Sequence, residues 1–238
     1  MNNTVIYVIL FMVIIYAAFF FFSYQRRKKL KDVFQNLDLQ QEALQADVYK
    51  DNLLAKDFGF IQEQLSGEPI EAFTYANAQY TGKDQAKDVA KDALKGIATL
   101  GTVRFTTVQT PKYLILSQGA VHLLDTDTEG EVSKHLIFDA SRMQNARIEE
   151  KALSTMAKAQ AKFAGFELKS YSLHLPTDGD DVVLELYSTL MFNQATTGGN
   201  MMTMSSQRQV ENFVIANQFL YKLGVKYPQL RVQTTVPF

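Results

Sequence analysis

Eighteen consecutive apolar or aromatic residues, Val5 through Phe22, are followed at once by a cationic cluster, Arg26, Arg27, Lys28, Lys29 and Lys31. At about 1.5 Å of rise per residue such a run matches the ~30 Å hydrocarbon core of a bilayer, and a helix satisfies every backbone polar group internally. The pattern predicts a single-pass transmembrane helix over residues 5–24. A cleaved secretory signal fits less well. Asn2, Asn3 and Thr4 carry no charge, and Phe19 to Phe22 place bulky rings where a signal peptidase needs small residues. Lys and Arg beside a spanning helix favour the cytoplasmic side. The expectation is a plasma (inner) membrane protein with its N-terminus outside, its C-terminal domain cytoplasmic, and the lipid bilayer as partner through residues 5–24. The five basic residues serve as membrane-surface and topology determinants, and the same charges also suit anionic headgroups.

The remaining two hundred or so residues are enough for one or two small domains with a real core. Lys and Arg total 24 against 25 Asp and Glu. With five of the cations in the flank, the rest is mildly acidic and offers no basic field for nucleic acid. The absence of cysteine removes disulfides, thiolate nucleophiles and cysteine metal sites together.

Residues 25–100 read as a juxtamembrane helical region. Leu30, Phe34, Leu37, Leu44 and Val48 fall on one stripe, and Leu54, Phe58, Ile61 and Leu65 on a second, before Gly67 and Pro69 interrupt. From Lys83 to Lys95 the pair Lys-Asp recurs every four residues opposite an alanine-rich face, the signature of a solvated helix supported by i,i+4 pairs. After Gly101 the texture turns to short β-rich runs. Val103–Val108, Tyr113–Leu116 and Ala120–Leu124 read as strands, and Leu136–Phe138 and Met143–Ile148 as weaker ones. A helix is expected at Glu150–Ala164. Phe166–Leu175 and Val182–Tyr187 are then strands flanking the turn Thr177-Asp178-Gly179-Asp180. A last amphipathic helix runs from about Ser205 to Leu223, with Gly224 and Pro228 ending it.

The order of several antiparallel strands closed by one C-terminal helix, clearest in KYLILSQGAVHLLDTDTEGEVSKHLIFD from Lys112 to Asp139, resembles the pleckstrin-homology-like superfold, including its small bacterial versions. The fold class is therefore expected to be α+β: an N-terminal transmembrane helix, a helical spacer, and a PH-like domain at 101–226 with a tail at 227–238. The resemblance implies an open barrel plugged by the final helix, with Phe213, Phe219 and Leu220 in the core. Members bind phosphoinositide headgroups, peptides or other subunits. The basic strand-loop cluster of lipid-binding members has no match, since the first turns carry only Lys112 with Arg104 nearby, and that departure favours protein binding.

Asp125, Asp127, Glu129 and Gly130 echo the start of a calcium loop, but its twelfth position is Leu136. An acidic hairpin turn is the better reading, as it is for Asp178, Asp180 and Asp181. His122, His135 and His174 show no metal-ligand spacing, and no nucleophile elbow or His-Glu-x-x-His helix is present. No catalytic, cofactor-binding or metal residue is assigned and no enzyme is expected. Met201, Met202 and Met204, in the loop before the last helix, are the candidate partner-contact residues, because methionines adapt to partner surfaces. The tail Arg231–Phe238 either adds a strand to a neighbour or packs on its own domain. These features together suggest a membrane-anchored cytoplasmic interaction or scaffold module, an accessory subunit with protein partners or copies of itself. The alternative is a module sensing lipid headgroups or divalent cations.

Overall fold

A computed structural model describes residues 3–78, 110–127, 129–161, 164–191 and 204–238. Its centre is a seven-stranded, wholly antiparallel sheet in the order β4-β3-β2-β1-β7-β6-β5. The strands are β1 (Ile70–Ala78), β2 (Lys112–Ser117), β3 (Ala120–Thr126), β4 (Val132–Phe138), β5 (Arg147–Lys151), β6 (Ser170–Leu175) and β7 (Val182–Tyr187). Helices α1 (Asn3–Gln35), α2 (Leu39–Asp57) and α3 (Gly59–Gln64) precede the sheet. The short α4 (Ala140–Met143) and α5 (Thr155–Ala161) interrupt it, and α6 (Ser206–Lys226) follows.

The fold is thus α+β, but the membrane part of the expectation is corrected. Among the described residues no helix is long and apolar enough to cross a membrane. Helix α1 runs without a break through both the apolar stretch and its basic flank. The single-pass anchor at 5–24, the inner-membrane location and the outside-to-cytoplasm orientation therefore lack support.

The sheet also begins earlier than residue 101. β1 lies in the span read as helical, and it is the central strand, paired with β2 on one side and β7 on the other. Its burial is nearly continuous because both faces are covered. Ala72 and Ala76 face the core that holds Phe219 and Leu220 of α6, while Phe73 packs with Leu53, Leu54 and Ile61 of α2 and α3. Two-sided burial removes the alternation by which a half-exposed strand is recognised. The Lys-Asp repeat at 83–95 and the strand expected at 103–108 lie outside the described residues.

Elsewhere the elements shift by a few residues. The stretch 143–148 splits into α4 and the start of β5, and the helix expected from Glu150 starts only at Thr155, because Glu150 and Lys151 belong to β5. Asp38 accepts from the backbone N–H groups of Gln40 and Gln41, capping α2 and dividing the first stripe. Leu44 and Val48 consequently point to solvent, and α2 buries Ala46, Lys50, Leu53 and Leu54 instead. After α3 the chain turns through Ser66 (φ 54°) and Gly67 (φ 80°), whose N–H donates to Gln62 O at 3.0 Å. Gly67 thus occupies the left-handed cap position that favours glycine.

Helix α6 organises the core. Ser205 caps its start. Phe219, Leu220 and Leu223 pack on one face of the sheet, Ile215 and Ala216 reach the cluster under α2 and α3, and Val210, Phe213 and Val214 pack toward α1 and the tail. Its buried Asn217 is hydrogen-bonded at both ends of the amide: Asn217 Nδ2 donates to Ser188 O at 3.0 Å and Phe213 O at 2.8 Å, and Asn217 Oδ1 accepts from Thr235 N at 3.1 Å. The tail therefore packs on its own domain, with Val236 buried and Phe238 stacked on Tyr221 at 5.4 Å.

Candidate interaction surface along the first helix

Helix α1 has two halves with opposite surroundings. Its last turns dock on the body. Leu30 is buried, and Phe34 meets Phe166 and Phe213 at ring-centroid distances of 4.7 and 5.6 Å, while Phe166 and Phe213 lie 4.3 Å apart. Edge-on and tilted aromatic packing of this kind adds about 0.5–1.5 kcal/mol per pair beyond area burial. Gly165 permits the approach, since a Cβ there would lie 2.6 Å from the Leu30 carbonyl oxygen. The first turns leave the body altogether. From Leu10 to Phe22 the large apolar side chains are 47–70% exposed on every side of the helix.

The five basic residues sit where these halves meet. Arg26 is half-buried and donates to Met204 O, which also accepts from Gln209 Nε2 at 3.4 Å. Arg27, Lys28 and Lys31 are exposed and, with Tyr24, form one wall of a 660 Å³ groove whose other wall is Ala164–Glu167. Asp32 and Glu167 line the same groove, so its charge is mixed. Lys29 is exposed and outside it.

Of the three methionines chosen for partner contact, Met201 and Met202 lie outside the described residues. Met204 is half-buried and turned inward, its sulfur accepting from Asn212 Nδ2 at 3.1 Å. A methionine held this way fixes the start of α6 against α1.

The acidic turns are local structures. Asp127 Oδ1 accepts from the N–H groups of Glu129 and Glu131 at 2.9 and 3.0 Å, and Asp125 is paired with Lys112. Asp178 pairs with Arg142 at 3.0 Å. Among the described residues no group of three or more His, Cys, Asp or Glu side chains gathers to hold a metal ion.

The structure does bring together two histidines that the linear spacing keeps apart. His122 Nδ1 and His135 Nε2 approach to 3.0 Å across β3 and β4. A helical ligand-spacing rule misses the pair. Hairpin register finds it: His122 stands opposite Ile137, so His135 is the diagonal neighbour on the same face. Burial, and for His122 also the charge of His135, hold both rings below the usual 6.5, against the opposing pull of Glu68.

Comparison with known proteins returned no matching family model, no matching curated protein and no matching solved structure.

Proposed function

We propose that this chain is a non-catalytic interaction or scaffold module, an accessory subunit that docks to a protein partner through the apolar first half of α1. The observation that carries this is the uncovered sleeve from Leu10 to Phe22 on a helix whose other end is fixed to a folded body. A helix apolar all round is stable in use only when surrounded, and contiguous exposed apolar surface of this extent marks an interaction site. We further propose that the body is of the pleckstrin-homology-like kind. The support is its strand order, a four-strand meander β1 to β4 joined through β1 to β7-β6-β5, with a helix from the C-terminal side packed on one face.

The test compares the full chain with a Phe20→Ser/Phe21→Ser/Phe22→Ser variant, both purified in mild detergent. The reading expects a companion protein, or a second copy, that the variant loses while keeping its melting transition. A wild-type monomer without companions sinks it. Recovery of wild type on protein-free lipid vesicles, again with no companion, assigns the sleeve to acyl chains and equally overturns a protein partner. A second reading, binding of an anionic headgroup, rests on Arg27, Lys28 and Lys31 in the groove, though Asp32 and Glu167 offset their charge. It requires vesicle recovery that depends on anionic lipid and weakens in Lys28→Gln/Lys31→Gln.

A further inference from the structure

The geometry points to His122 and His135 as a binding site for a divalent transition-metal ion of the zinc class, favoured by the nearby charge of Glu68. The imidazoles face each other nitrogen to nitrogen at 3.0 Å, with ring centroids 5.2 Å apart. Two histidine nitrogens bound to one tetrahedral zinc at 2.0–2.1 Å stand about 3.3 Å apart, so a separation of a few tenths of an ångström admits the ion.

The supporting residues share one side of the sheet. Ser117 on β2, His122 on β3 and His135 on β4 lie on the same face by register. Glu68 reaches over that face from the α3–β1 connection, where its Oε2 accepts from Ser117 Oγ at 3.3 Å. The carboxylate acts on both rings as a negative charge that favours a cation between them. It now stands outside ligand reach, consistent with a gathered set of two nitrogens and not three donors.

The protonation states suit the task. His122 is 6% exposed and both rings are held toward the neutral form. Two neutral imidazoles meeting nitrogen to nitrogen share one proton in a hydrogen bond. Binding a cation at both facing nitrogens requires the donor ring to carry its proton on its other nitrogen, a tautomer change exchanged through solvent, so uptake by the neutral rings releases no net proton and weakens only where falling pH protonates them. Rigid placement on two hydrogen-bonded strands provides preorganisation that a loop site lacks. The third histidine serves as an internal control, because His174 is engaged on β6 with Ser172 at 3.2 Å and Arg147 at 3.3 Å.

The experiment titrates the full chain with Zn(II) against a chromophoric chelator and follows melting temperature in parallel. One ion per chain is expected, raising the melting temperature. Affinity should fall roughly tenfold or more in His122→Asn and in His135→Asn, less in Glu68→Gln, and not at all in His174→Asn. Cooperative melting of the asparagine variants without metal separates lost binding from lost folding. If either variant does not melt cooperatively, Glu68→Gln provides the decision through weakened binding at unchanged metal-free stability. No uptake by wild type, or uptake unchanged in the folded variants, overturns the proposal.

Discussion

Helix α6 and the first half of α1 are both rich in large apolar residues, and they meet opposite fates. In α6, Phe213 and Phe219 are 1% and 0% exposed, whereas in α1 Phe20 and Phe22 are 68% and 70% exposed. The difference lies in what the chain supplies around them. α6 is enclosed by the sheet, α1, α2 and the tail, and two of its lysines are anchored. Lys222 Nζ reaches Asp47 Oδ1 at 3.0 Å and Glu71 O at 2.8 Å, and Lys226 Nζ reaches Glu71 Oε1 at 2.9 Å. The first half of α1 has no such neighbours among the described residues. Apolar content sets the need for cover, and topology decides whether the chain meets that need itself.

The sharpest way to break this contrast is one phenylalanine deletion on each side of it. Phe219→Ala leaves a cavity in the core between α6 and the sheet and should cost about 3–5 kcal/mol of unfolding free energy. Phe20→Ala removes a ring that touches no core and should change stability by less than about 0.5 kcal/mol. Denaturant midpoints measure both. Comparable losses would mean that the first half of α1 is covered by the body after all.

A smaller effect should follow from moving the boundary between the two halves of α1. Gly165→Val places a side chain against the Leu30 backbone, which cannot yield as a flexible side-chain tip would. The expected cost is about 1–3 kcal/mol, with α1 undocked and the sheet intact. Limited proteolysis reads this directly, as faster cutting near the Asn36–Asp38 link with an unchanged fragment from α2 onward. Unchanged cutting would show that Phe34 docks by another route.

Much of this arrangement was legible in the sequence, and the rest was hidden for definable reasons. α6 announced itself through Ser205, its apolar stripe and Gly224, where a Cβ would come 2.9 Å from Arg231 Cα. The hairpin β2–β3 was equally clear, because its turn residues Gln118 and Gly119 both take positive φ. β1 was missed because burial on two faces erases the period of two. The stripe through Leu44 and Val48 misled because Asp38 starts a new helix with a new phase. The apolar run of α1 was visible, but extent of cover depends on neighbours distant in sequence. The histidine pair required the register of β3 on β4, which no ligand-spacing rule encodes.

The smallest expected effect sharpens the comparison through pH, since the ionisable groups whose proton affinity the fold lowers belong to the body and not to the exposed half of α1. For His122, burial first and then the charge of His135 lower its proton affinity below the ordinary 6.5, with Glu68 opposing. The unfolded chain then binds more protons than the folded one, so this contribution is complete above about pH 6.5 and is lost as pH falls through the lower folded value. Burial alone pushes the Asp47 carboxyl up, but the hydrogen bond and charge of Lys222, followed by Lys50, outweigh it and hold it below 3.8. Its contribution is present above 3.8 and disappears as pH falls below that. Urea midpoints from neutral to about pH 3 should therefore decline in two stages. His122→Gln should flatten the first stage and Asp47→Asn the second, each leaving the other in place. A midpoint that holds level between about pH 6.5 and 5 in the wild-type chain would show that the histidine pair charges as readily folded as unfolded, and would remove the pair from the body's acid response.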